Sequence, residues 1–235
     1  MEQLIFELAT PEPQSFANFL PGRNEEAVAT LTRLADGGIA ETGVVLWGGP
    51  GVGKSHLLHA GIGAAASHRP TLFCADCATV PGEPPGPRAL VAVDNVDMAD
   101  ASQQGRLFTL YNALKASGGQ LLAAAAVPPA LMPLRDDVRT RLGWGLVYEI
   151  LPLADHDKPA ALAFYAKSRG VALPDEVIAY LLAHGRRDMA SLLATLLALD
   201  RYSLAQKRPI TLPLLRDWLQ RNQGLQSALP ESSHR

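Results

Sequence analysis

Over the first two thirds of the chain, short apolar runs alternate with longer stretches of helical pattern. GVVLWG (43–48), TLFCAD (71–76), ALVAVD (89–94), QLLAAAAV (120–127) and LVYEIL (146–151) are brief and rich in strand-forming residues. Between them, GKSHLLHAGIGAAA (53–66) predicts a helix. So does QQGRLFTLYNALKASGG, which sets Leu107, Leu110, Tyr111 and Leu114 on one side. Apolar strands without polar alternation are buried on both faces. Five of them separated by helices predict a parallel sheet covered by helices on either side.

The pattern changes near residue 153. No further strand-like run follows, and four helical stretches come at short spacing: DKPAALAFYAKSRG, PDEVIAYLLAHG, RDMASLLATLLALDRYSLAQ and TLPLLRDWLQ. Asp157, Pro174 and Thr211 mark starts, and Gly170 and Gly185 mark stops. This part predicts a small helical bundle. Two stretches carry no element pattern: VPGEPPGPRA (80–89), with four prolines, and the polar tail GLQSALPESSHR.

Composition supports a packed core, with 48% apolar and 19% charged residues in 235. A net charge of −2 without an extended basic run argues against an independent DNA-binding module. No apolar stretch is long enough to span a bilayer, and the N-terminus MEQLIFELATPEP has acidic residues and no basic signal region. The expectation is a cytoplasmic protein without a membrane partner. The two cysteines, Cys74 and Cys77, form one C-x-x-C at the end of a predicted strand. A zinc site would need a second pair, so reduced structural thiols are expected.

The chemistry-bearing signal is Gly48, Gly49, Pro50, Gly51, Val52, Gly53, Lys54 and Ser55, placed after an apolar strand and opening a helix. In such a P-loop the backbone N–H groups turn onto phosphate oxygens, the lysine reaches the β- and γ-phosphates, and the serine hydroxyl ligates Mg²⁺. Asp94, closing a buried run, stands where a second Mg²⁺ partner belongs, through water. The next residue is Asn95, whose amide can orient water but cannot take its proton, so slow or absent intrinsic hydrolysis is expected. Asp97 is the alternative acid. His56, next to the loop, belongs to the candidate nucleotide site; His56 and His59 lack a third ligand for a metal and suit packing or polar contacts.

FANFLPGRNEEAV, the P-loop, DNVD, LFTLYNAL, VRTRLGWGLVYEI and RRDMASLLATL occur in that order. Together they resemble the AAA+ module of the DnaA-related proteins, in particular the shorter Hda branch, the regulatory inactivators of DnaA. The resemblance runs from residue 1 to about 221 and implies an α/β AAA+ fold with a five-stranded parallel sheet followed by an all-helical lid. It divides the chain into a clamp-binding peptide (1–12), a nucleotide-binding base (13–152), a lid (153–222) and a polar tail (223–235).

The resemblance also implies roles. Phe16, Asn18 and Phe19 match the segment over the adenine base, although packing aromatics and a cap would read the same. Arg141 matches an arginine finger that reaches a neighbour's ATP; Arg139 competes for that role. Arg187 matches a lid arginine that contacts the nucleotide in cis. Gln3, Leu4, Phe6 and Leu8 resemble a peptide that docks on the DNA polymerase III β sliding clamp, with Phe6 where leucine is commoner, while a first strand would read the same. Two departures stand out. Ala124–Ala126 replace the polar residue of the strand before Pro-Pro, and the Pro-rich loop replaces a longer helical segment.

The combined expectation is a regulator that holds ADP or ATP with Mg²⁺, ADP favoured, and docks on the DNA-loaded clamp. There it offers Arg141 to ATP on the DnaA AAA+ domain, limiting re-initiation of chromosome replication. No strong direct DNA binding is expected, and a homodimer or higher oligomer stays open. The rival is an autonomous AAA+ ATPase such as a helicase loader; a third reading is a tether without effect on ATP. A helix-turn-helix domain and a helicase-recruiting domain are both lacking, so the initiator itself is not expected.

Overall fold

Buried apolar residues without alternation build the centre of a parallel sheet, as a computed structural model of the chain shows. It describes residues 13–185 and 188–226. The strands are β1 (Gly43–Trp47), β2 (Thr71–Cys74), β3 (Leu90–Val93), β4 (Gln120–Ala125) and β5 (Leu146–Glu149), in the spatial order β2-β3-β4-β1-β5. Every pairing is parallel, with Val93 opposite Ala123 and Leu46 opposite Ala124. Every residue of β3 and β4 is buried, whereas the edge strand β5 alternates between partly covered and exposed positions. The alanines of β4 are thus central: small side chains suit a strand sandwiched between two neighbours and covered on both faces.

The first unit contains residues 13–19, Asn24–Gly48 and Lys54–Ile150; the second contains Leu20–Arg23, Gly49–Gly53 and the chain from Leu151. In the first unit the helices are α1 (Glu25–Ala35), α2 (Lys54–Ala65), α3 (Ala101–Ser117) and α4 (Asp136–Gly143). Helix α3 starts on a capping box in which Asp100 accepts from the Gln103 amide at 2.8 Å and Gln103 accepts from the Asp100 amide at 3.0 Å. Leu107, Leu110, Tyr111 and Leu114 all face the core, as their spacing predicts. Helices α1 and α4 were not expected from the pattern. Helix α1 buries Ala27, Leu31 and Leu34, a clear stripe, and α4 has only Val138 and Leu142 to bury among eight mostly charged or small residues.

The second unit carries α5 (Lys158–Ser168), α6 (Asp175–His184), α7 (Met189–Gln206) and α8 (Leu212–Gln226). Leu162, Val177, Leu181, Leu199, Leu214 and Leu215 form its core. Asp188 caps α7 by accepting from the Ser191 amide at 2.8 Å. Two expectations change. Helix α8 continues through Gly224 to Gln226, into what the sequence marked as tail, and Gly185 ends α6 in extended rather than left-handed backbone. No described helix is long and apolar enough to cross a membrane.

Candidate functional site

The loop between β1 and α2 is shaped by its glycines. At Gly48, where φ is +149°, an added Cβ would lie 2.5 Å from the Ile150 carbonyl oxygen, and Gly51 and Gly53 also have positive φ. Only glycine permits this path, and the path turns backbone N–H groups inward at the start of α2. Lys54 donates from Nζ to the Gly48 carbonyl at 2.7 Å, so its side chain folds back over the loop. Burial pushes the Lys54 ammonium below its usual range, while Asp94 and, more weakly, Asp97 pull it back up.

Ser55 donates from Oγ to Asp94 Oδ2 at 2.5 Å, and Asp94 Oδ1 accepts from the Asn95 amide at 2.9 Å. Asp94 is 7% exposed. A hydroxyl and a carboxylate from the ends of adjoining elements are hard oxygen ligands of the kind Mg²⁺ takes, directly or through water. The donor set therefore fits that ion, and no cluster of three or more metal-binding His, Cys, Asp or Glu competes among the described residues.

Beyond Asp94 the chain makes a 3-10 turn (Val96–Met98) that sends neighbouring side chains in opposite directions. Asn95 takes left-handed backbone, is exposed, and its Nδ2 donates to the Ala75 carbonyl at 3.3 Å. Asp97 is 8% exposed, and its Oδ2 accepts from the Ala126 amide at 3.0 Å, just past the end of β4. The acid that accompanies Asp94 and acts on Lys54 is thus Asp97; the position after Asp94, where sequence spacing put a catalytic base, turns to β2. The sequence signal was the D-x-x-D spacing, with Asn95 in left-handed backbone between Asp94 and the turn that carries Asp97.

Phe16 and Asn18 form a 3-10 turn before Phe19, closed by Asn18, whose Oδ1 accepts from the Ser15 amide at 2.9 Å. His56 ties this segment to α2: its Nε2 lies 2.9 Å from the Ser15 carbonyl, and its ring is 5.3 Å from that of Phe19. Burial holds the His56 imidazole below its usual value; the Ser15 carbonyl opposes this and His59 adds to it. His59 instead lies against Phe73, the ring centres 3.9 Å apart and the rings tilted by 31°. Cys74 and Cys77 are free and buried, and burial drives the Cys77 thiol up to about 12.

Arg141 lies near the end of α4, held by α3. Its Nε donates to Asn112 Oδ1 at 3.0 Å, one Nη donates to the Asp137 carbonyl at 3.2 Å, and the guanidinium sits 3.9 Å over the Phe108 ring. It is half-buried, beside the 63% exposed Trp144, whose ring centre is 5.7 Å away. Arg139 points elsewhere, paired with Asp136 at 2.5 Å. Phe108 and Asn112, four apart on α3, were legible as a helical pair but carried no signal of holding an arginine from another helix. Gln3, Leu4, Phe6, Leu8 and Arg187 lie outside the described residues.

A parallel sheet in this order, with a glycine-rich loop after β1, an acid after β3 and a separate helical unit, is the arrangement of the AAA+ P-loop fold. Solved structures with this fold include domain III of the DnaA replication initiation protein from Thermotoga maritima. It has 18% identity and a TM-score of 0.75 over 88% of this chain and 95% of that one. AMPPCP-bound DnaA from Aquifex aeolicus matches with 19% identity and a TM-score of 0.68, covering 83% of this chain and 67% of that one. The RuvB branch migration motor from Thermotoga maritima matches with 15% identity and a TM-score of 0.67, covering 87% and 70%. Residues 155–219 match the family model described as the lid domain of Hda. Over those residues the C-terminal unit is similar to the Hda lid domain, and across most of the chain the likeness to these solved structures is one of fold.

Proposed function

We propose that this chain is a replication regulator that binds adenine nucleotide, ADP in its working state, and acts on ATP held by DnaA. In its own site Lys54 and the loop amides bind phosphates, Ser55 and Asp94 hold Mg²⁺, and the Phe16–Phe19 segment, tied down by His56, orients the base. Arg187 completes the site from the lid, and Gln3, Leu4, Phe6 and Leu8 dock the chain on the DNA-loaded β sliding clamp. Mg²⁺ supplies charge neutralisation at the phosphates. Arg141 then enters the ATP site of the DnaA AAA+ domain, where a guanidinium presents parallel donors to the phosphoryl oxygens in the transition state.

One observation carries this reading: Arg141 is engaged by Phe108, Asn112 and Asp137 at a half-exposed surface and by no group of the phosphate loop. Asn95 turned to Ala75 and the methyl side chains of Ala124–Ala126 add support, since neither can activate water for a nucleotide held by Lys54. The test measures hydrolysis of DnaA-bound ATP in the presence of DNA-loaded clamp. Wild type should stimulate it and Arg141→Ala should lose about 10³-fold of that stimulation; equal stimulation by both removes the mechanism.

The intact Lys54, Ser55 and Asp94, with Asp97 buried beside them, favour a second reading as an ATPase in its own right. That reading requires substantial turnover by the isolated chain, abolished in Lys54→Ala.

A further inference from the structure

Asp97 has no place in the binding roles described above, yet it is a buried charged side chain near Asp94 in the sequence and fixed by the backbone. It is buried, and its Oδ2 is fixed by the backbone amide of Ala126, a donor that no rotamer change can withdraw. That amide directly follows β4. In this chain the strand ends in Ala124 and Ala125, so no side chain there offers a donor to a third phosphate. Asp97 also acts electrostatically on Lys54, the residue that reaches the β- and γ-phosphates, as does Asp94.

Asp94 differs from Asp97 in what it does with its charge. Both oxygens of Asp94 accept hydrogen bonds, one from the Ser55 hydroxyl, and the pair forms an oxygen ligand set for a divalent cation. The Asp97 carboxylate has one backbone donor and, among the described residues, no basic side chain bonded to it. An anion held in the wall at the far end of a phosphate cradle repels each additional negative charge brought there, and burial strengthens that repulsion over its value in water.

We propose that Asp97 sets the nucleotide preference of this site, disfavouring a nucleoside triphosphate relative to the diphosphate by placing a fixed carboxylate at the γ-phosphate end of the cradle. The proposal rests on the nucleotide-binding reading and deepens it: the diphosphate state follows from a residue of the wall. Asp97 is a specificity residue. The Ala126 amide fixes Asp97 Oδ2, which holds the charge of the carboxylate in place.

Calorimetric titration of the full chain with ADP and with the β,γ-methylene analogue of ATP, both with Mg²⁺, tests this. Wild type should bind ADP at least about tenfold more tightly. Asp97→Asn keeps an oxygen for the Ala126 amide and removes the charge. It should leave ADP affinity within about twofold and tighten the analogue about tenfold. Asp97→Glu, which keeps the charge, should retain the wild-type ratio, and thermal melting checks that each variant is folded. An unchanged ratio in Asp97→Asn, equal weakening of both nucleotides, or the same behaviour in the Asn and Glu variants overturns the proposal. Failure of wild type to bind either nucleotide would overturn the nucleotide-binding reading together with this one, and is distinguished by that result.

Discussion

Arg141→Ala removes more than a charge that could reach a neighbour. In the isolated chain the guanidinium lies 3.9 Å over Phe108 and donates to Asn112 at 3.0 Å and to the Asp137 carbonyl at 3.2 Å. A partly exposed cation–π contact contributes about 0.5–1 kcal/mol, and a side-chain hydrogen bond about 0.5–1.5 kcal/mol. The bond to Asp137 lies within the last turns of α4, where water can replace it, so it adds little. Truncation should therefore cost roughly 1–2.5 kcal/mol in stability. Under the proposed mechanism the same interactions are given up, at least in part, when the arginine extends to another molecule, and would then act as a resting clasp.

Urea unfolding followed by tryptophan fluorescence measures this directly, with Trp144 close to the perturbed site. Arg141→Ala should lower the midpoint without changing the slope. A double-mutant cycle with Asn112→Ala should return a coupling of about 0.5–1.5 kcal/mol, because the two side chains share a hydrogen bond. Asn112→Ala alone should loosen the clasp while leaving the arginine available. A coupling indistinguishable from zero would show that the contacts with α3 do not hold the side chain, and the resting-clasp reasoning would be wrong.

Three further outcomes follow from the geometry. The His56 imidazole is held below its ordinary value, so the unfolded chain takes up its proton first as pH drops. That contribution is fully present above about pH 6.5, the unfolded value, and is lost as pH falls through the lower folded one. Thermal midpoints across pH 8 to 5 should fall, with a shallower fall in His56→Gln; an identical slope in both would exclude His56 as the cause. Cys74 and Cys77 are buried with raised thiol values, so iodoacetamide at pH 8 should label them far more slowly in native than in urea-unfolded protein. Equal labelling rates would contradict their burial. Gly48→Ala puts a Cβ against the Ile150 carbonyl in a backbone region that alanine resists. It should cost more than about 1 kcal/mol in urea unfolding and weaken nucleotide binding together, and normal behaviour in both assays would refute the loop geometry.

Where a single physical signal dominated, the fold was legible from sequence. The five strands are short apolar runs whose burial requires helices on both faces, and the helices of the second unit bury apolar faces in a core of their own. The P-loop combined glycines, a lysine and a serine in a setting no ordinary turn requires. Helix α4 was harder to see because two apolar residues in eight make no periodic stripe. Helix α1 buries such a stripe, at Ala27, Leu31 and Leu34, along one face of eleven residues.

At the site, distance along the chain was a poor guide to direction. Asn95 adjoins Asp94, and sequence adjacency suggested that it faces the phosphates, but left-handed backbone at Asn95 turns its amide to Ala75 and brings Asp97 inward. A one-residue change in dihedral angles decides which acid serves the site, and no side-chain pattern encodes it plainly; asparagine, tolerant of that backbone region, was the available clue. The setting of Arg141 depended on a contact between two helices 29 residues apart, which local periodicity does not report.

The central claim concerns whose ATP is spent. DnaA loaded with γ-labelled ATP and this chain loaded with unlabelled nucleotide, mixed on DNA-loaded clamp, separate the two sites by label. Release of labelled phosphate from DnaA that requires Arg141, with no faster release when the label starts on this chain, is the predicted result. Labelled phosphate released equally by wild type and Arg141→Ala, or only when this chain carries the label, would contradict it.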